Sequence, residues 1–177
     1  MGIKIRKANV DDAYGITKVN VYTWYSTYQW LMPLKVLQTR IEFMDERADK
    51  LRETLKENDK FLVAEDEESN EIIWMLSYWE SRNEEYKESW EIYAFYVLKD
   101  YQKQKIWKWL FVEAVNQLIN LWYTSMIINV LVWNPAINFY KKYGWVEVWE
   151  KTDPCGKIMI TEKIMYYENL KKIIENN

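Results

Sequence analysis

Residues 90–132 constrain this chain most. Residues 90–98 (WEIYAFYVL) are aromatic and β-branched, with no Gly or Pro, and read as a buried strand. Residues 100–105 (DYQKQK) are polar and basic. Ile106, Leu110 and Ala114 recur at fours, and Leu118 and Leu121 extend the same apolar face, so a helix follows. Residues 126–132 (MIINVLV) form a nearly unbroken apolar run, as in a strand covered on both faces. Strand, crossover helix and strand make a βαβ unit. The loop before its helix gathers N–H groups and the positive end of a helix dipole, which suits an anion and above all a phosphate.

The flanking segments extend this frame. Residues 3–8 alternate and predict a first strand. Asp11 or Asp12 caps a helix running to about Tyr28, whose tyrosines and Trp24 either pack the core or line a cleft. Pro33 opens a second helix through Leu37, Ile41 and Met44, and residues 45–57 read as a solvated helical face. Residues 61–65 and 72–79 make a hairpin around the acidic turn 66–70. Residues 81–89 read as an exposed polar connection. Asn134 and Pro135 start a helix over 136–143 that stops at Gly144. Residues 145–151 and 157–167 predict two more strands around a turn at 153–156, before a helical tail over 168–177. The order β-α-α-β-β-β-α-β-α-β-β predicts an α/β (α+β) domain: a mixed, mostly antiparallel sheet of six or seven strands with helices on both faces. We expect one domain over residues 1–177, its core spanning about 3–167.

Composition removes several functions. The net charge of −3 argues against a general nucleic-acid binder. No apolar run approaches the roughly 20 residues of a membrane span, and the first residues lack the apolar segment of a signal peptide. With no His and one Cys, a Ser-His or Cys-His nucleophile pair is excluded, a structural zinc site is not expected, and no internal disulfide is available. The last fits a cytoplasmic setting.

Eleven Trp stand beside only 4 Gly, where ordinary glycine usage gives about 12 in a chain of this length. Trp133 precedes a turn, Trp107 and Trp109 fall in the anion loop, and Trp122 ends a helix where a left-handed cap is usual. If every Trp except Trp24 stood for Gly, the glycine count would be ordinary. A systematic replacement of Gly by Trp accounts for this pattern. An unusually Trp-rich natural chain is the alternative, and an aromatic surface for carbohydrate or membrane is a separate function class that such a composition leaves open.

The order of elements, the loop over residues 102–110, the segment NPAINFYKKYG at 134–144 and the stretch 24–37 resemble the GCN5-related N-acetyltransferase (GNAT) family. The family's acetyl-CoA loop has the form Q/R-x-x-G-x-G/A. Here the frame is Gln104, Lys105, Ile106, Trp107, Lys108 and Trp109, with Trp at both glycine positions. The resemblance implies transfer of acetyl from acetyl-CoA to a primary amine, in a small molecule or a peptide, with no metal. It implies that Gln102, Gln104, Lys105, Ile106, Trp107, Lys108, Trp109 and Leu110 cradle the pyrophosphate. The backbone of Tyr96, Val97 and Leu98 would pair with the pantetheine arm. Tyr140 would be the general acid, or else a packing residue. Glu91 would be the base, directly or through water, or else an exposed strand-end carboxylate. Asn134 would hold the cosubstrate or only cap its helix. Cys155 is not needed for direct transfer. A homodimer is one assembly open to such a chain. A CoA-binding module without turnover, or an impaired one, is the alternative function.

Overall fold

The computed structural model describes residues 2–30, 32–102, 106–120, 123–155 and 158–175, apart from the side chains of residues 106–108 and 155. Seven strands form one sheet: β1 (Ile3–Lys7), β2 (Phe61–Asp66), β3 (Glu71–Glu80), β4 (Trp90–Val97), β5 (Met126–Leu131), β6 (Val146–Cys155) and β7 (Ile158–Tyr167). Their order is β1-β2-β3-β4-β5-β7-β6. β4 and β5 pair in parallel, while β1/β2, β2/β3, β5/β7 and β6/β7 are antiparallel. The helices are α1 (Ala13–Tyr28), α2 (Leu34–Glu42), α3 (Met44–Glu57), α4 (Ile106–Asn120), α5 (Ala136–Lys142) and α6 (Lys171–Glu175). This is the mixed α/β sheet with a βαβ unit that the sequence predicts. Phe43 (φ −102°, ψ 30°) separates α2 from α3, just before the predicted junction of the second helix with the charged run 45–57. Contacts cluster in two compact units, one of residues 1–77 with 94–114, the other of 78–93 with 115–177.

In the first unit, α1 buries Ile16 and Val19 on one face, the spacing that brings helical residues together. The helix is entered through a reciprocal cap. Asn9 accepts from the Asp11 N–H at 2.8 Å, and Asp12 accepts from the Asn9 N–H at 2.7 Å. The reciprocal cap belongs to a one-turn 3-10 helix, Val10–Asp12, with Asn9 as its N-cap. Asp12 stands at the N-cap position of α1, as the sequence allows, but makes no side-chain capping bond there. Arg6 donates to both Asp12 oxygens at 2.6 and 2.8 Å, which raises the guanidinium pKa and ties β1 to the helix start. Gly15 lets α1 approach β3 closely, because a Cβ there would lie 2.8 Å from Ile72. α3 stays largely solvated, with pairs Asp49–Arg52 and Glu53–Lys56 each worth a few tenths of a kcal/mol.

The β2/β3 turn places Asn70 at φ 56° and is locked by Asp66. Its carboxylate accepts from the Glu68 N–H and the Tyr101 hydroxyl, both at 3.0 Å. These bonds, the Glu68 backbone bond first, hold the Asp66 pKa below the ordinary carboxylate value. A depressed pKa contributes stability that is complete above the unfolded-state value and is lost as pH falls through the folded one. We therefore expect the urea midpoint to fall on acidification below about pH 4. Asp66→Asn should flatten that slope. An unchanged slope in the variant removes Asp66 from the acid response.

In the second unit, β5 lies between β4 and β7. Ser89 is buried and hydrogen-bonds Ser125 at 2.7 Å, so the 81–89 connection is not wholly exposed. A one-turn helix at Glu84–Tyr86 shortens it, capped by Asn83. β6 runs through Asp153 and Pro154, which pair with Ile160 and Met159. The predicted turn at 153–156 thus belongs mostly to the strand, and its closure lies outside the described residues. Gly144 adopts φ 86° after α5, as a helix-terminating glycine does. The tail docks through buried Leu170 and Ile173, and Ile174 stays half-exposed.

Candidate functional site

The two units each carry part of the predicted chemistry. In the second unit, Glu91 sits on β4 and is only 1% exposed. Its Oε2 accepts from the Arg82 backbone N–H at 3.0 Å and from Arg82 Nε at 3.2 Å. Its Oε1 accepts from Arg82 Nη2 and, at 3.0 Å, from Asn129 Nδ2. The carboxylate is therefore a buried, bidentate partner of arginine, not an exposed strand end. The same bonds raise the Arg82 pKa. The Arg82 guanidinium also lies over the Tyr93 ring, 4.0 Å from its centroid.

Parallel pairing of β4 with β5 covers only Trp90–Ile92 with Met126–Ile128, although β5 runs on to Leu131. The regular alternation of the β3/β4 pair also breaks near this point. Tyr93 packs on Trp79 and Phe95 on Trp74. Those tryptophans are five residues apart on β3 and lie on opposite faces, whereas Tyr93 and Phe95 are two apart and would share one face of a regular strand. Nothing in WEIYAFYVL signals this break, since it contains neither Gly nor Pro.

Tyr140 lies on α5, 4% exposed, with its ring 5.3 Å from those of Phe139 and Trp145. Asn134 Oδ1 accepts from the Ala136 N–H at 2.9 Å, so its capping role is realised.

In the first unit, Leu98 N–H donates to Ile73 O at 3.0 Å, toward β3. Neighbouring residues of a strand direct their backbone groups to opposite sides, so Val97 turns its own N–H and carbonyl away from β3. That carbonyl accepts from Thr23 Oγ1 and Gln102 Nε2, each at 3.2 Å. The Tyr96 hydroxyl accepts from Trp24 Nε1 at 2.9 Å, which gives Trp24 a defined bond in the first unit. Gln104 and Lys105 lie outside the described residues. Ile106, Trp107 and Lys108 open α4, and their side chains lie outside them too. Leu110 is buried, and Trp109 is 66% exposed, turned outward.

A family model described as "Acetyltransferase (GNAT) domain" matches residues 57–147. The chain belongs to the GNAT acetyltransferase family. It is an acyl-CoA-dependent N-acetyltransferase. Over 162 residues it is 28% identical to the uncharacterized N-acetyltransferase YuaI of Bacillus subtilis (strain 168), with 90% of each chain covered. The PaiA N-acetyltransferase from Thermoplasma acidophilum, solved in complex with coenzyme A, has the same fold at TM-score 0.75 and 20% identity, covering 95% of this chain and 99% of that one. An N-acetyltransferase from Staphylococcus aureus Mu50 follows the fold at TM-score 0.68 and 16% identity, covering 96% and 99%. Among the described residues no group of three or more His, Cys, Asp or Glu is placed to hold a metal, and no helix is long and apolar enough to cross a membrane.

Sequence reasoning missed Arg82 and Asn129. Arg82 lies in a loop nine residues before its partner, and Asn129 is a polar residue inside an apolar strand. That interruption of MIINVLV was the available signal.

Proposed function

We propose that this GNAT protein transfers an acetyl group from acetyl-CoA to a primary amine by direct attack, as a single domain over residues 1–177. The observation that carries this reading is Glu91: a buried carboxylate on a strand whose parallel ladder ends one residue later. The family match runs through both compact units, which supports treating them as one domain. A cytoplasmic setting fits a chain with one cysteine.

Acetyl-CoA supplies the activated thioester. The Val97 N–H, directed away from β3, suits a strand-like bond to the pantetheine arm. The N-terminus of α4 suits the pyrophosphate, and we assign that role to the loop segment Gln102, Gln104, Lys105, Ile106, Trp107, Lys108, Trp109 and Leu110 on its sequence. The amine nitrogen forms a bond to the thioester carbon, the C–S bond breaks, and Tyr140 protonates the departing thiolate. Glu91 receives the amine proton through water. Its oxygens are occupied by Arg82 and Asn129, and the Arg82 side chain, 59% exposed, is the donor able to swing aside.

Calorimetric titration with acetyl-CoA, with CoA and ADP as controls, tests the reading. We expect micromolar binding, followed by thiol release when an amine is added. No binding by the folded protein overturns the proposal. Glycine at positions 107 and 109 would bring the loop backbone nearer to phosphate. Trp107→Gly combined with Trp109→Gly should tighten acetyl-CoA binding about ten-fold. Equal affinity of parent and double variant defeats that expectation.

A further inference from the structure

A one-turn helix, Lys99–Tyr101, follows β4 in the first unit. Tyr101 N–H donates to Leu98 O at 2.9 Å and Gln102 N–H to Lys99 O at 3.2 Å. A single turn of this kind is weak, because its hydrogen-bond geometry is poorer than that of an α-helix and it orders several dihedrals for each bond. Its shape therefore depends on what holds it from outside. At its entry Leu98 N–H donates to Ile73 O at 3.0 Å. At its exit the Tyr101 hydroxyl donates to Asp66 Oδ2 at 3.0 Å, across 35 positions of sequence.

Asp66 is a firm anchor. It is 5% exposed and ends β2, opposite Ile3 on one side and Glu71 on the other. Its Oδ1 accepts from the Glu68 N–H at 3.0 Å, and its backbone carbonyl accepts from the Asn70 N–H at 2.7 Å. The hairpin turn closes through these backbone donors, and a carboxylate has lone pairs left for the hydroxyl. What the hydroxyl restrains is the segment on its own side, residues 97–102. In that segment the Val97 N–H, turned away from β3, is the group assigned to the pantetheine arm. Gln102, beside Tyr101, holds the Val97 carbonyl through Nε2 at 3.2 Å. Resting on the acetyl-transfer reading, we propose that Tyr101 is a positioning residue for acetyl-CoA: through its bond to Asp66 it holds residues 97–102 in place before the cosubstrate arrives. A segment already ordered loses less entropy on binding, so affinity rises with no need of a contact between Tyr101 and the ligand.

Calorimetric titration of acetyl-CoA into the parent, Tyr101→Phe, Asp66→Ala and the double variant, with a thermal midpoint for each, is the test. Tyr101→Phe keeps the ring and removes only the hydroxyl. We expect it to weaken acetyl-CoA binding about ten-fold at a temperature well below every midpoint, where each protein is folded. In the Asp66→Ala background the same change should have no further effect on affinity, because its partner is already gone. Should the alanine variants fail to fold, Tyr101→Phe against the parent decides by itself. Equal affinity of parent and Tyr101→Phe, even beside a lower midpoint, makes the bond a support of the fold alone. That result overturns the positioning role and leaves the acetyl-CoA site standing. Losses that multiply in the double variant show that Tyr101 does not act through Asp66, and overturn it too. If the folded parent does not bind acetyl-CoA, the cosubstrate assignment falls and the positioning role falls with it.

Discussion

Tyr140→Phe is expected to lower kcat by about a hundred- to ten-thousand-fold while leaving the KM for acetyl-CoA close to the parent value. The substitution removes one oxygen and keeps the ring. The aromatic contacts of residue 140 with Phe139 and Trp145 therefore survive, and so does the burial of α5. A residue that only packs would tolerate this change. A residue that delivers the thiolate's proton would not, because a poorer leaving group raises the barrier to C–S cleavage. Steady-state thiol release, beside a thermal midpoint for each protein, separates the two. A variant as active as the parent at the same midpoint removes Tyr140 from the chemistry.

The largest stability effect is expected at Trp74. Its side chain is 0% exposed, and its ring meets Phe95 edge-on at 5.5 Å, with Phe95 in turn against Phe111. Trp74→Ala should cost about 3–5 kcal/mol, the range for removing a large buried aromatic side chain. Trp74→Phe should cost far less. It leaves a smaller cavity and removes an indole N–H that is buried without an acceptor among the described residues, a defect worth about 1–3 kcal/mol. Urea midpoints of the three proteins give both differences. Trp74→Gly tests the origin of the tryptophans at the same site. A loss comparable to that of the alanine variant means that the core is built around the indole. A gain means that the core is overpacked at a glycine position. Intact mass then establishes which residue the purified protein carries.

Much of the fold was legible along the chain. Hydrophobic periodicity placed β1 to β5, α1 and α4 within a few residues, because burial writes its period into each segment. The junction between α2 and α3 was legible as the change from an apolar-periodic run to a charged one near residues 44–45, and the structure puts it at Phe43. The extent of β6 was hidden. Asp153 and Pro154 carry turn chemistry, yet they lie in a ladder whose partner β7 continues opposite them. At the candidate site, Glu91 and Tyr140 could be named from the sequence, but their surroundings could not. The sequence left Glu91 either a base or an exposed strand end. Burial and the grip of Arg82 and Asn129 removed the second choice.

The sequence by itself determined the order of strands and helices, the βαβ unit with its anion loop, the resemblance to the family and the exclusion of Ser-His and Cys-His nucleophile pairs. These are local or compositional properties, carried by neighbours a few residues apart. Only the tertiary structure decided which side chains meet: Arg82 and Asn129 on Glu91, and the rings of β4 on those of β3. Such contacts join residues nine to 38 positions apart, and no periodicity within a single segment records them.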